Sequence, residues 1–312
     1  MVSKVLKEDI YIKRQKGSVL FMNKEKIENI FKRKKIAIKE LNSAANSFSS
    51  NVYIITSTTG KKYVLKFCNK EKKVINEGKY MNYLKSYLPV SDVIEIGVCD
   101  EKYYIIQSFF EGNNIYDEKA NELNDEQIRN IGILLAKLHS CKLLDEDNDS
   151  WLKYLNGSLD KTVDTLEKIL GKEENKKISK FLRKYIKQNL VNNYKNSILH
   201  MDFRIGNLMF GKENEIGLID LEGMKNGEYV FDFVKMNWLF NKDKFEIFLS
   251  GYDSVKTRED NFDERLNFYS LFDSYTSLWW CVSKNRLDTD FYKLNYNIVI
   301  KYLERLNKTG NI

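Results

Sequence analysis

Apolar and polar positions alternate differently in the two parts of this chain. Lys24 to Lys35, KEKIENIFKRKK, reads as a short basic amphipathic helix. The pattern then shortens to that of strands in AIKEL, in NVYIITST (Asn51 to Thr58) and in KYVLKFC (Lys62 to Cys68). Thr59-Gly60-Lys61 supplies a hairpin turn between the last two, so a three-stranded meander is expected, with SAANSFSS as a small-residue loop before its second strand. A helix follows from about Lys72 to Leu88, stopped near the only proline, Pro89. DVIEIGVC and KYYIIQSFF add two strands ending at Glu111-Gly112.

Beyond Gly112 helical spacing dominates. NDEQIRNIGILLAKLHS has Asn124 or Asp125 as its cap and a broad apolar face. A second amphipathic helix runs from about Asn175 to Tyr194. Two strand-like pieces, NLMF and EIGLID, interrupt the series before aromatic-rich helices close the chain. A β-rich first third and a mainly helical remainder predict an α+β chain of two lobes joined near Ser108 to Gly112, with a ligand cleft between them.

Composition removes several other classes. At 43% hydrophobic and 13% aromatic residues, the 312-residue chain can bury a sizeable core. No apolar run approaches the roughly 20 residues of a membrane helix, and MVSKVLKEDIYIKRQKG lacks the apolar core of a signal peptide. Cys68, Cys99, Cys141 and Cys281 are scattered, with only His139 and His200 beside them. This speaks against structural zinc and for reduced thiols in a cytoplasmic protein. The net charge of +7 is spread over short mixed runs such as NKEKK, which suits a solvated surface and not a nucleic-acid groove.

The informative charges interrupt apolar patterns. Glu77 shares the stripe of Val74, Met81, Leu84 and Leu88, and Lys66 stands between apolar neighbours on the preceding strand. An inward carboxylate needs a cation, so a Lys66–Glu77 pair is expected over two solvent-edge charges. Farther on, SILHMDFRIGNLMF sets Asp202, Arg204 and Asn207 between two apolar runs, and EIGLIDLEG ends a strand in Asp220 and then Glu222. Asp202, Asn207 and Asp220 lie on adjacent strand–loop units. Hard oxygen donors in such small number suit Mg²⁺, which keeps waters and binds substrate phosphates.

HMDFRIGN also matches the His-x-Asp-x-x-x-x-Asn catalytic loop of kinase-like folds. Together with Lys66, Glu77, IIQSFFEG, LLAKLHS and LIDLEGMKNGEYVFDFVKMNW, it resembles the aminoglycoside phosphotransferase group of the aminoglycoside phosphotransferase/choline kinase superfamily, from about Ile38 to Phe240. Protein kinases fit less well, because eleven residues between Asp220 and Asp232 are too few for their activation segment. Two features depart from the group. SAANSFSS has no glycine, and Met201 follows His200 where many relatives carry glycine.

The resemblance implies a two-lobed protein-kinase-like fold. A nucleotide-binding lobe, 1–107, has a small antiparallel sheet and one key helix; a hinge, 108–112, leads to a larger helical lobe, 113–312. It implies a phosphotransferase using ATP or GTP with Mg²⁺. Asp202 would orient the acceptor hydroxyl, and Arg204 either steadies the transferring phosphate or pairs with Asp202. Asn207 and Asp220 would bind the metal. Lys66, fixed by Glu77, would meet the phosphates, Ser49 and Ser50 would cover them, and the backbone from Ser108 to Phe110 would take the purine. Asp232 would bond the loop backbone and His200 pack beneath it, while His139 belongs to the core. The expected acceptor is a hydroxylated, cationic aminoglycoside-type antibiotic held by acidic clusters on the helical lobe. A metabolic alcohol such as choline, a thiosugar or homoserine is the second reading, and a silent spore-coat-type structural protein the third. A monomer or dimer without membrane or nucleic-acid partners is expected.

Overall fold

The computed structural model describes residues 23–44, 51–144, 150–191 and 193–309. The described residues up to Tyr83, with Ser91–Phe110, form one compact unit; Leu84–Val90 and those from Glu111 onward form a second. Among the described residues no helix is long and apolar enough to cross a membrane.

The first unit is an antiparallel sheet of β1 (Ile38–Ser43), β2 (Asn51–Ser57), β3 (Lys62–Cys68), β4 (Val93–Cys99) and β5 (Lys102–Ser108), in the order β1-β2-β3-β5-β4. Helix α1 (Lys24–Arg33) buries Ile27, Ile30 and Phe31 in a cluster with Tyr53, Ile55, Tyr63, Leu65, Phe67 and Tyr104. The turn between β2 and β3 depends on Gly60, whose φ of +83° suits a residue without Cβ. Helix α2 (Glu71–Leu84) ends one turn earlier than its apolar stripe predicts. The Leu84 carbonyl accepts from the N–H groups of both Tyr87 and Leu88, each at 2.8 Å, in one last turn beyond the helix. Pro89 is the reason, because its ring disfavours helical backbone at the residue before it.

The second unit is mainly helical. Its helices are α3 (Asp125–Ser140), α4 (Ser150–Leu170), α5 (Lys172–Tyr185), α6 (Val234–Leu239), α7 (Lys242–Asp253), α8 (Phe262–Ser283) and α9 (Asp290–Thr309). Asn124 caps α3 in a reciprocal capping box with Gln127. The amphipathic helix expected from Asn175 to Tyr194 is α5, which starts earlier and gives way to a π-helical turn at Ile186–Leu190. Two small antiparallel sheets carry the polar loops: β6 (Asn113–Asn114), β8 (Leu208–Phe210) and β9 (Ile216–Leu218) in one, β7 (Asn196–Leu199) and β10 (Lys225–Glu228) in the other.

Helices α3 and α7 touch backbone to backbone. A Cβ at Gly132 would lie 2.1 Å from the Phe248 carbonyl oxygen, and one at Gly251 2.1 Å from that of Arg129. In α8, Phe272 and Tyr275 are fully buried, whereas Trp279 and Trp280 are only half-buried.

Candidate active site

In the first unit, β3 carries Lys66 inward and α2 carries Glu77 to it, with 3.1 Å between Nζ and a carboxylate oxygen. Both side chains are almost fully buried, so neither charge is tolerable without the other. Gln107 on β5 donates to the same carboxylate at 3.1 Å. Ser108 is tied within this unit: its N–H donates to the Asp92 carbonyl and its Oγ accepts from the Asp92 N–H, each near 2.9 or 2.8 Å. Phe109 N–H bonds to the Lys62 carbonyl, while Phe110 is the last residue of the unit. Ser49 and Ser50 lie outside the described residues.

In the second unit, β7 delivers the chain into the loop that starts at His200. The His200 Nδ1 accepts the Asp202 N–H at 3.3 Å and its Nε2–H donates to the Ile219 carbonyl at 2.9 Å, which assigns the neutral tautomer. The imidazole thereby joins the loop of Asp202 to the strand end that leads to Asp220. Arg204 Nε donates to Asp202 Oδ2 at 3.1 Å, and Asn207 Nδ2 donates to that oxygen at 2.9 Å and to the Asp202 carbonyl at 2.8 Å. Among the described residues Asp202 Oδ1 accepts no hydrogen bond, although Oδ2 accepts two.

Asp220 reaches the same place through the β8–β9 hairpin. Leu208 faces Leu218, and the Ile219 N–H donates to the Asn207 carbonyl at 3.1 Å. Asp220 follows in left-handed backbone, φ 64° and ψ 54°. Because Asn207 commits its amide nitrogen to Asp202, its Oδ1 is the end left for a cation. An amide oxygen and a carboxylate are the hard donors that Mg²⁺ takes when phosphate oxygens and waters complete the shell. Among the described residues no group of three or more His, Cys, Asp or Glu could hold a metal ion unaided.

The model of the phosphotransferase enzyme family matches residues 40–260. The chain belongs to that family. Solved structures share its fold at low identity. An aminoglycoside 2′-phosphotransferase-IIIa mutant in its GDP complex is 12% identical, with 91% of this chain and 98% of that one covered and a TM-score of 0.69. The streptomycin–ATP–APH(2″)-IIa ternary complex is 17% identical, with coverages of 91% and 97% and a TM-score of 0.63. An amicoumacin kinase in complex with AMP-PNP, Ca²⁺ and Ami is 13% identical, with coverages of 89% and 93% and a TM-score of 0.64. No curated protein matches the chain by sequence.

Asp232 bonds the loop backbone as expected, accepting the His200 N–H at 2.7 Å and the Met201 N–H at 2.8 Å. Two groups in this phosphotransferase, His139 and Asp117, have partners that the sequence pattern alone does not display. His139, set down as core, is buried but also bonded: Nε2 meets Asp232 at 3.3 Å and Nδ1 meets the Tyr252 hydroxyl at 3.1 Å. Burial lowers its pKa against the pull of Asp232, which keeps the ring neutral. Asp117, in the helical turn Asp117–Glu122, bonds Arg204 at 2.6 Å and the Gly206 N–H at 2.7 Å. Its only sequence signal is an aspartate in the polar run NNIYDEK, which looks like ordinary turn chemistry.

Of the carboxylates expected to receive a cationic acceptor (Glu259, Asp260, Asp263, Glu264, Asp273, Asp288 and Asp290 among the described residues), three meet the chain's own cations. Asp273 pairs with Lys235 at 3.1 Å, Glu259 with Lys195 at 3.1 Å and Asp290 with Lys293 at 3.0 Å. Lys235 also lies 5.3 Å from the Trp238 ring centre and 5.2 Å from that of Phe291. Burial opposes its charge, but Asp273 and Asp202 outweigh that and raise its pKa. The cluster Asp145, Glu146, Asp147 and Asp149 lies outside the described residues.

Proposed function

We propose that this phosphotransferase moves the γ-phosphoryl group of Mg²⁺-bound ATP or GTP to a hydroxyl of a small molecule. The observation that carries the reading is the Asp202 carboxylate, anchored through Oδ2 by Arg204 and Asn207 and open at Oδ1. A carboxylate so placed can orient a hydroxyl and take its proton late. The acceptor oxygen bonds to the γ-phosphorus, the β–γ bridging bond breaks, the nucleoside diphosphate leaves, and the proton passes to Asp202. Lys66, kept extended by Glu77, meets the α- and β-phosphates. Backbone groups between Ser108 and Phe110 take the purine, and Ser49 and Ser50 cover the phosphates. Asn207 Oδ1 and Asp220 hold the Mg²⁺, which when bound neutralises phosphate charge. Asp220→Ala is therefore expected to weaken Mg²⁺–nucleotide binding roughly tenfold or more, and Asn207→Ala to do so less. Calorimetry that finds the affinity of Asp220→Ala unchanged removes it from the metal site.

Two acceptor readings have support. An aminoglycoside-type antibiotic accords with structural neighbours whose names include aminoglycosides and amicoumacin. Among metabolic alcohols, a neutral one such as a thiosugar is favoured over an aminoglycoside by a specific observation, since Asp273 is already paired with Lys235. An incoming ammonium would then meet a resident cation instead of a bare carboxylate. Steady-state turnover with kanamycin, choline, homoserine and a neutral sugar alcohol, at low and high salt, separates the two. An aminoglycoside acceptor gives turnover that falls as salt screens exposed pairs beyond ~8–10 Å. A metabolic acceptor gives turnover with homoserine, choline or the neutral alcohol and none with kanamycin. Mg²⁺–nucleotide binding without turnover on any of them favours the silent structural reading.

A further inference from the structure

We propose that Asp117 is the positioning residue of the catalytic loop, holding Arg204 so that one oxygen of Asp202 stays open to the acceptor. The proposal rests on the reading of Asp202 as the residue that orients the acceptor hydroxyl.

A single carboxylate does two things here. Asp117 Oδ2 accepts Arg204 Nη1 at 2.6 Å, and Oδ1 accepts the Gly206 N–H at 2.7 Å. Three residues earlier, Asn114 Nδ2 donates to the carbonyls of Gly206 and Leu208 at 2.9 and 3.0 Å. The segment 114–117 thus grips the backbone on both sides of Asn207. A Cβ at Gly206 would lie 2.4 Å from Arg204 Nη1, so a side chain there would displace the guanidinium from this position. The guanidinium is held at two of its nitrogens, Nε and Nη1.

Arginine left to itself prefers two parallel bonds to one carboxylate, the fork geometry that its planar donors match. Arg204 instead divides itself between two acids: Nε on Asp202 and Nη1 on Asp117. Asp202 therefore receives one bond from Arg204, on Oδ2. Without the charge of Asp117, the guanidinium can swing and chelate Asp202 through both oxygens, covering the one that an acceptor hydroxyl needs. An ordinary surface ion pair would be worth about 0–1 kcal/mol and would change nothing at Asp202. This pair differs because both side chains are about three-quarters buried, with 27% and 25% exposed, and because a second acid competes for the same cation. The Asp202 and Asp117 charges also raise the pKa of Arg204 against its burial, as expected of a cation shared by two anions.

The test has two arms. In the first, ¹⁵N-arginine-labelled protein gives the Arg204 Nε–H resonance, assigned by its loss in Arg204→Lys. Asp117→Asn retains an acceptor for the Gly206 N–H but removes the charge, and it is expected to shift that resonance, whereas Asp117→Glu leaves it in place. In the second arm, the kcat of Asp117→Asn for Mg²⁺–ATP or Mg²⁺–GTP turnover, with water or with the acceptors named above, falls roughly 10- to 100-fold. The nucleotide KM stays within about twofold and Asp117→Glu restores most of the loss. In an Arg204→Lys background, where no fork can form, the same Asp117→Asn change has no further effect on kcat. An unmoved Arg204 resonance overturns the proposal, and so does a moved resonance with kcat unchanged. If the wild-type protein transfers no phosphoryl group, the catalytic reading of Asp202 fails, while the resonance still decides whether Asp117 holds Arg204.

Discussion

Asp202→Asn is expected to lower phosphoryl transfer by roughly 10²- to 10⁴-fold, the range that a positioned general base contributes. The substitution keeps the side chain's shape and leaves an oxygen for the bonds from Arg204 Nε and Asn207 Nδ2. What disappears is the carboxylate's capacity to receive a proton. Mg²⁺–nucleotide affinity should be nearly unaffected, because Asn207 and Asp220 supply the proposed metal donors. Single-turnover phosphoryl transfer beside calorimetric nucleotide binding makes the measurement. Near wild-type transfer by Asp202→Asn would remove this residue from the chemistry.

Arg265→Leu is expected to destabilise the second unit by about 3–5 kcal/mol, the usual cost of breaking a buried ion pair from one side. Arg265 on α8 and Glu228 on β10 are each 1% exposed and lie 3.2 Å apart. The Tyr269 hydroxyl donates to Glu228, and Trp151 Nε1 donates to Tyr269 at 3.0 Å. Arg265 also donates to the Asn193 carbonyl at 2.6 Å. Burial pushes the Glu228 carboxyl from its ordinary 4.5 up to about 7, against the opposing pull of Arg265 and Tyr269. A folded-state value above the unfolded one gives stability that is complete below about 4.5 and is lost as pH rises through about 7. Denaturant titrations from pH 4.5 to 8 should therefore show wild-type stability falling relative to Glu228→Gln. A loss below about 1 kcal/mol in Arg265→Leu would show that the pair is not the strut its burial implies.

The sequence made plain those polar groups that interrupt an apolar period. Lys66 and Glu77 stand out because each breaks a stripe, and they meet. Asp202 and Asn207 stand out between two apolar runs, and the loop bonds one to the other. Groups whose partner is distant and whose neighbours are already polar leave no such mark. Asp117 lies 87 residues from Arg204, inside a run of turn-forming residues. His139 fits its helix's apolar face, and its partners Asp232 and Tyr252 are 93 and 113 residues away. The acidic clusters on the C-terminal helices were visible as charge, but their pairing was not. Lys235 lies between apolar neighbours in a short helix and gives no sign that it answers Asp273. Helix ends were less legible, as where α2 stops at Leu84 and a single further turn carries the chain to Leu88 before Pro89.

Met201 has a consequence for the robustness of this loop. Its φ of 73° lies in the left-handed region, which costs a side-chain-bearing residue of order 1–3 kcal/mol and glycine almost nothing. The bond from its N–H to Asp232 at 2.8 Å helps offset that cost. A relative with glycine here could lose the aspartate and keep much of the loop's shape, since the backbone has no reason to leave. This chain could not: with methionine in place, the loop behaves as a sprung latch whose catch is Asp232. Substitutions at positions 201 and 232 are therefore not independent, and glycine at 201 would make this loop more tolerant of damage behind it.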